Sequence, residues 1–175
     1  EPPTPLHAEL TDMATVSARR VLTLVNSLLD LPQLEHHSLP ISAKSVAVAE
    51  LLQATGQQVN LWARQDKITV ECVVDEGVSR VFADPDITAR VLVNLTSNAL
   101  KFSPTGSVIR IRAAHAPEAV IFSVQDEGPG IPREWLSRVF DPYAQVTGIG
   151  KSSAPGTGLG LTFCRLAVAA QKGRI

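Results

Sequence analysis

A chain of 175 residues, 45% of them hydrophobic and 19% charged, can bury one sizeable core, or a modest core with a helical appendage. Sixteen basic residues against seventeen acidic ones leave a formal charge of -1, and no basic stripe occurs, which argues against a nucleic-acid partner. Cys72 lies in a strand-like run and Cys164 in a helix-like run; two such cysteines suit reduced, buried thiols of a cytoplasmic compartment, not a disulfide framework. No apolar run approaches the roughly 18–20 residues that cross a bilayer, so any membrane anchor of the parent protein is expected outside this chain.

From Leu6 to Leu34 the pattern predicts one long helix. Val21, Leu24, Val25, Leu28 and Leu31 recur at helical steps, and a stripe that broad needs a partner surface. Two readings stand: a helix folded back on its own domain, or a bundle helix that forms a dimer. Pro32 predicts a kink or an end near Leu31. Past Pro40 a short strand is expected at Ser45–Val48, then a helix from Ala49 to Arg64. Ile68–Val74 and Ser79–Ala83 read as strands rich in branched residues. Asp84 and Asp86 flank Pro85, a helix start, and that helix should run to Phe102. Strands Ser107–Ala113 and Ala119–Gln125 follow, then glycine-rich sequence, then a helix from Thr157 to Gln171. Irregular alternation of strands and helices predicts an α+β, two-layer sandwich with a mixed sheet.

Three patterns carry chemistry. Asn94, Asn98 and Lys101 are spaced by four and three residues, which places them on one helix face, while Leu92, Leu95, Ala99 and Phe102 supply the packing side. Amide oxygens join an octahedral Mg2+ shell together with phosphate oxygens and waters, and the lysine neutralises phosphate charge; asparagines also serve as helix caps or satisfy buried backbone. Asp126-Glu127-Gly128-Pro129-Gly130 directly follows a strand, where a carboxylate can accept a hydrogen bond from an exocyclic amine, although Gly-Pro-Gly is also plain turn vocabulary. Gly156-Thr157-Gly158-Leu159-Gly160 opens the last helix and would present free N–H groups to an anion. It lacks the Lys-Ser/Thr pair of a P-loop and the βαβ setting of a dinucleotide fingerprint.

In this order and spacing the three patterns resemble the catalytic domain of sensor histidine kinases, within the Bergerat superfamily that also holds gyrase, Hsp90 and MutL. The N box of that family matches Asn94 to Lys101, preceded by Ala83-Asp84-Pro85-Asp86. Its G1 box matches Asp126, Gly128 and Gly130, and its G2 box matches Gly156, Gly158 and Gly160. Val139-Phe140-Asp141-Pro142-Tyr143 looks like the F box that packs under the nucleotide lid, and Leu6–Leu39 is similar to the second helix of the dimerisation and phosphotransfer domain.

The resemblance implies residues 1–39 as a partial dimerisation domain and 40–175 as an ATP-binding catalytic domain. It implies ATP and Mg2+ as ligands, with Asn98 on the metal, Asn94 and Lys101 at the phosphates, and Asp126 on the adenine amino group. Gly128, Gly130, Phe140, Tyr143, Gly156, Thr157, Gly158, Leu159 and Gly160 would line the nucleotide, and Ala144–Pro155 would be the lid. Partners would be a second copy through the first helix (a heterodimer being the alternative) and a cognate response regulator. The superfamily's ATPases carry a glutamate base where this chain has Asn94, and an amide cannot take a proton from water. That favours holding ATP intact for phosphoryl transfer to a histidine.

Departures from the family bear on that reading. His7, His36, His37 and His115 all lack the context of the family's acceptor histidine, which is therefore expected outside this chain. Gln171-Lys172 replaces the usual His-Gly, Glu127 stands where asparagine is commoner, and the closing strands of the family are expected beyond Ile175, leaving one side of the sheet open. A non-catalytic, kinase-like module that regulates another kinase through heterodimerisation is the competing reading.

Overall fold

The computed structural model describes residues 40–145 and 157–175, all within one compact unit, Pro40–Ile175. The expected helix Leu6–Leu34 lies outside the described residues, as do Gly156 and all of Ala144–Pro155 beyond Gln145. The elements in order are β1 (Lys44–Ala47), α1 (Val48–Gln65), β2 (Thr69–Val74), β3 (Arg80–Ala83), α2 (Pro85–Phe102), β4 (Val108–Ala116), β5 (Ala119–Gln125) and α3 (Gly160–Ala170), with a 3-10 turn at Arg133–Trp135 before α3. β2 runs parallel to β4 and β5 antiparallel to it, so the three-stranded sheet is mixed, in the order β2-β4-β5. β1 and β3 form a separate antiparallel pair. The fold is α+β, as expected, with the helices on one face of the mixed sheet.

Alternation explains which face of the sheet is buried. Ile109, Ile111 and Ala113 of β4 are completely buried, and Val70, Val120, Phe122 and Val124 pack against the same core. Ile109 and Ile111, fully buried, each gain about 1.5–3 kcal/mol by leaving water. α1 contributes Val48, Leu51, Leu52, Val59 and Ala63, whose three- and four-residue spacing makes one stripe. α2 contributes Val91, Leu92, Ala99 and Leu100. Leu92 and Ala99 are thus buried as the pattern predicts, whereas Leu95 and Phe102 are only half-buried. Thr96, wholly buried, donates its hydroxyl to the carbonyl of Leu92 at 2.7 Å, which removes the penalty of an unpaired polar group in the core.

Helix ends follow local chemistry. α1 closes with the N–H of Ile68 on Ala63 O at 2.9 Å and that of Lys67 on Arg64 O at 3.2 Å, a Schellman arrangement with Lys67 in the left-handed region at φ 55°. β4 runs three residues further than predicted, to Ala116, because Ala116 pairs with Ala119 across the two-residue turn Pro117-Glu118. Cys164 is buried, and burial pushes its thiol up to about 12. Cys72 is exposed, contrary to expectation. Its strand is a sheet edge among the described residues, and its core side lines an open groove of about 440 Å³ beside Leu52 and Gly56.

Candidate functional site

The site is built on α2. Asp84 caps that helix: its Oδ1 accepts from the N–H groups of Asp86 and Ile87, each at 3.1 Å, and Pro85 supplies a first residue with no N–H to satisfy. Its Oδ2 accepts from the N–H of Ser42 at 2.8 Å. Asn94, Asn98 and Lys101 stand half-buried on the helix face opposite the wholly buried Thr96. Among the described residues the side-chain amide of Asn98 makes no hydrogen bond, and Lys101 lays its ammonium 5.1 Å from the centre of the Phe102 ring.

Two glycine segments converge on this helix. The carboxylate of Asp126, at the end of β5, accepts from the N–H of Gly128 at 2.7 Å. A Cβ on Gly128 would stand 2.7 Å from that carboxylate and 3.2 Å from the carbonyl oxygen of Phe102, so only glycine lets the loop lie against the end of α2. Gly130 has φ +74° and open space around it; conformation, not crowding, selects glycine there. Gly160 opens α3, and a Cβ on it would stand 3.3 Å from Oδ1 of Asn94. Residues 94 and 102 therefore mark the two contacts, with Asn98 and Lys101 between them. The interval spans about 12 Å of helix.

The last helix begins at Gly160, not at Thr157 as predicted, because Gly158 has φ +70°, which breaks helical geometry. Before it, Thr157 Oγ1 accepts from the N–H of Leu159 at 3.3 Å, and Leu159 is buried. No side chain caps α3, so its first N–H groups keep their capacity for an anion. Tyr143 donates its N–H to Gly158 O at 3.1 Å, and a Cβ on Gly158 would sit 2.6 Å from Tyr143 Cα. Phe140 is half-buried, whereas the Tyr143 side chain is 67% exposed. Asp141 of the same segment meets Arg165 of α3 at 3.5 Å. Gly156 lies outside the described residues.

Two features escaped the sequence. Glu127 turns toward the sheet, where its Oε1 accepts from the N–H of Val108 at 3.4 Å, just beyond the last register pair, Arg110 with Gln125. Gln171 joins the end of α3 to the start of α2, accepting from the N–H of Asp84 at 2.7 Å. No cluster of three His, Cys, Asp or Glu side chains fit for a metal occurs among the described residues. A cation here would have to be completed by ligand oxygens, and the unengaged amide of Asn98 suits that arrangement. No helix among the described residues is long and apolar enough to cross a membrane.

Comparison with known proteins identifies the family. Residues 83–175 match the family model described as histidine kinase-, DNA gyrase B-, and HSP90-like ATPase, a stretch that holds Asn94, Asp126 and Gly160. The adaptive-response sensory kinase SasA of Synechococcus elongatus is 34% identical over 95% of this chain and 43% of its own length. The sensor protein KdpD of Clostridium acetobutylicum is 32% identical over 89% of the chain, which spans 17% of that relative. Among solved structures, full-length ShkA in complex with AMPPNP superposes with a TM-score of 0.76 at 26% identity, over 95% of this chain and 34% of that one. The nucleotide-free catalytic domain of the histidine kinase ThkA gives 0.64 at 27% identity, over 74% and 82%. The chain thus spans less than half the length of SasA, KdpD and ShkA. With its mixed sheet, its α2 asparagines and its glycine boxes, the chain belongs to the histidine kinase-, DNA gyrase B-, and HSP90-like ATPase family, and its relatives there are sensor kinases.

Proposed function

We propose that residues 40–175 are the Mg-ATP-binding catalytic domain of a two-component sensor histidine kinase, and that residues 1–39 belong to its dimerisation and phosphotransfer domain. The observation that carries this reading is the convergence of both glycine segments on α2, at Asn94 and at Phe102. ATP would lie along α2 with its adenine amine on Asp126 and its phosphates toward Asn94, Lys101 and the start of α3. AMPPNP, the ligand named for the ShkA structure, is an ATP analogue and supports this choice of nucleotide.

Asp126 is suited to its part because Oδ1 is engaged by Gly128, which fixes the carboxylate and leaves its second oxygen to accept a hydrogen bond. Gly128, Gly130, Phe140, Tyr143, Gly156, Thr157, Gly158, Leu159 and Gly160 would form the remaining walls. Lys101 and the N–H groups at the start of α3 stabilise phosphate charge. Mg2+, held by Asn98 together with phosphate oxygens, would neutralise charge that develops on the transferred group. Asn94 stands where a water-activating base would be needed for hydrolysis and has no basic atom, so the γ-phosphoryl group is reserved for a histidine nitrogen. Positioning and charge neutralisation carry the catalysis. Such a domain works with a second copy bound through its bundle helix and with a cognate response regulator.

The test uses γ-labelled ATP, this chain, and a separate polypeptide that carries a histidine-bearing dimerisation helix. Acid-labile label on that polypeptide, abolished by Asn98→Ala, is the expected result. Label on this chain itself, or steady phosphate release without transfer, contradicts the assignment.

A further inference from the structure

Gln171 stands at the end of α3 and reaches across to the start of α2. Its carbonyl oxygen accepts from the N–H of Asp84 at 2.7 Å and from the hydroxyl of Thr88 at 3.3 Å. Its amide nitrogen donates to Ala167 O at 3.4 Å, one turn back in α3, which orients the group. Asp84 and Thr88 are buried and Gln171 is half-buried, so the bonds are partly sheltered from solvent. Asp84 is also the residue that caps α2.

Other contacts between the two helices keep one antiparallel register. The thiol of Cys164 lies 3.7 Å from Val91 O, the Arg90 guanidinium sits 4.5 Å from the centre of the Phe163 ring, and Gly160 meets Asn94. Phe163, Cys164 and Ala167, wholly buried, pack α3 into the core, while the long thiol contact and the cation over the ring are less directional than a short hydrogen bond. The bond from the N–H of Asp84 to Gln171 is short and directional, and it ties α3 to a backbone atom at the cap of α2.

We infer that Gln171 is a positioning residue that sets the register of α3 on α2, and thereby fixes Gly158–Gly160 against Asn94 at the far end of the helix pair. This rests on the nucleotide-site reading only for its effect on affinity; the register itself is a property of the unliganded fold. With the tie cut, α3 samples neighbouring positions, and only a fraction of molecules holds the phosphate end competent, which weakens apparent affinity in proportion.

The experiment compares amide spectra of the full chain with Gln171→Met, which keeps length and volume but removes the tie, and with Gln171→Glu, which retains an acceptor oxygen. In Gln171→Met the resonances of Gly158, Gly160, Leu161 and the Asn94 side chain shift, about 15 Å along α3 from the substitution, and Gln171→Glu returns them toward the parent positions. AMPPNP affinity falls about five- to tenfold in Gln171→Met, as expected for one or two lost hydrogen bonds acting on the competent fraction. Perturbation confined to residues 84–88 and 167–173, with affinity unchanged, overturns the inference. Failure of the parent chain to bind AMPPNP would sink the nucleotide reading instead, while the spectral comparison would still decide the register.

Discussion

Oδ1 of Asn94 lies 3.3 Å from the point where a β-carbon on Gly160 would stand. The contact joins the middle of α2 to the uncapped start of α3, and it is made by the movable end of a side chain. Gly160→Ala should therefore be tolerated by the fold. Alanine favours helix over glycine by up to about 1 kcal/mol, which offsets a displacement of the amide by a few tenths of an ångström. The expected result is a urea midpoint close to that of the parent, with weakened binding of an ATP analogue because Asn94 has been moved. Equal losses of stability and binding would show that the contact is only packing.

Gly158 behaves differently. Its φ of +70° is costly for any L side chain, and the atoms a Cβ would strike, at 2.6 Å, are backbone atoms of Tyr143. Gly158→Ala should cost at least about 2 kcal/mol in urea unfolding, the sum of left-handed strain and a clash that cannot relax through a rotamer. It should also break the hydrogen bond from the Tyr143 N–H to Gly158 O. Stability within about 0.5 kcal/mol of the parent, the range of a neutral surface change, would contradict this account.

A third prediction concerns acid. Arg112 grips Asp75 with two hydrogen bonds of 2.7 Å each. Those bonds, aided by the guanidinium charge against some loss of solvation, hold the Asp75 carboxyl below the ordinary 3.8. A carboxyl whose folded pKa is depressed stabilises the fold above its unfolded pKa and loses that contribution as pH falls through the folded one. Arg112→Gln should return the carboxyl toward 3.8, as read by its side-chain carbon resonance. The stability difference between parent and variant should shrink as pH drops below about 4 and stay flat above about 5. A difference that grows toward low pH would refute the pairing.

Much of the fold could be read from local pattern, because its determinants are local. Asp84-Pro85-Asp86 announces the start of α2, and the alternation of Val120, Phe122 and Val124 announces the buried face of β5. Boundaries moved where long-range pairing decides: β4 runs to Ala116 because β5 supplies partners, and α3 starts late because Gly158 must turn against Tyr143. Cys72 lies on the core side of its strand, opposite Ile111, yet it is exposed, because β2 is a sheet edge among the described residues and a single sequence carries no mark of an edge. The Gln171 tie spans 87 residues and carries no local signal. The site residues were recognisable as three patterns in order, but their convergence on the two ends of one stretch of α2 is set by long-range packing that no local pattern encodes.

Asp126 decides the central claim most directly. Calorimetric titration with a non-hydrolysable ATP analogue, with and without Mg2+, should be run on the chain and on Asp126→Asn. An asparagine keeps an oxygen for the N–H of Gly128, so the turn survives, but it presents an N–H where the adenine amine needs an acceptor. The expected result is binding that Mg2+ strengthens in the parent and that falls at least about tenfold in the variant, the loss of one charge-assisted hydrogen bond. No binding by the folded parent, or equal binding by Asp126→Asn, would contradict it.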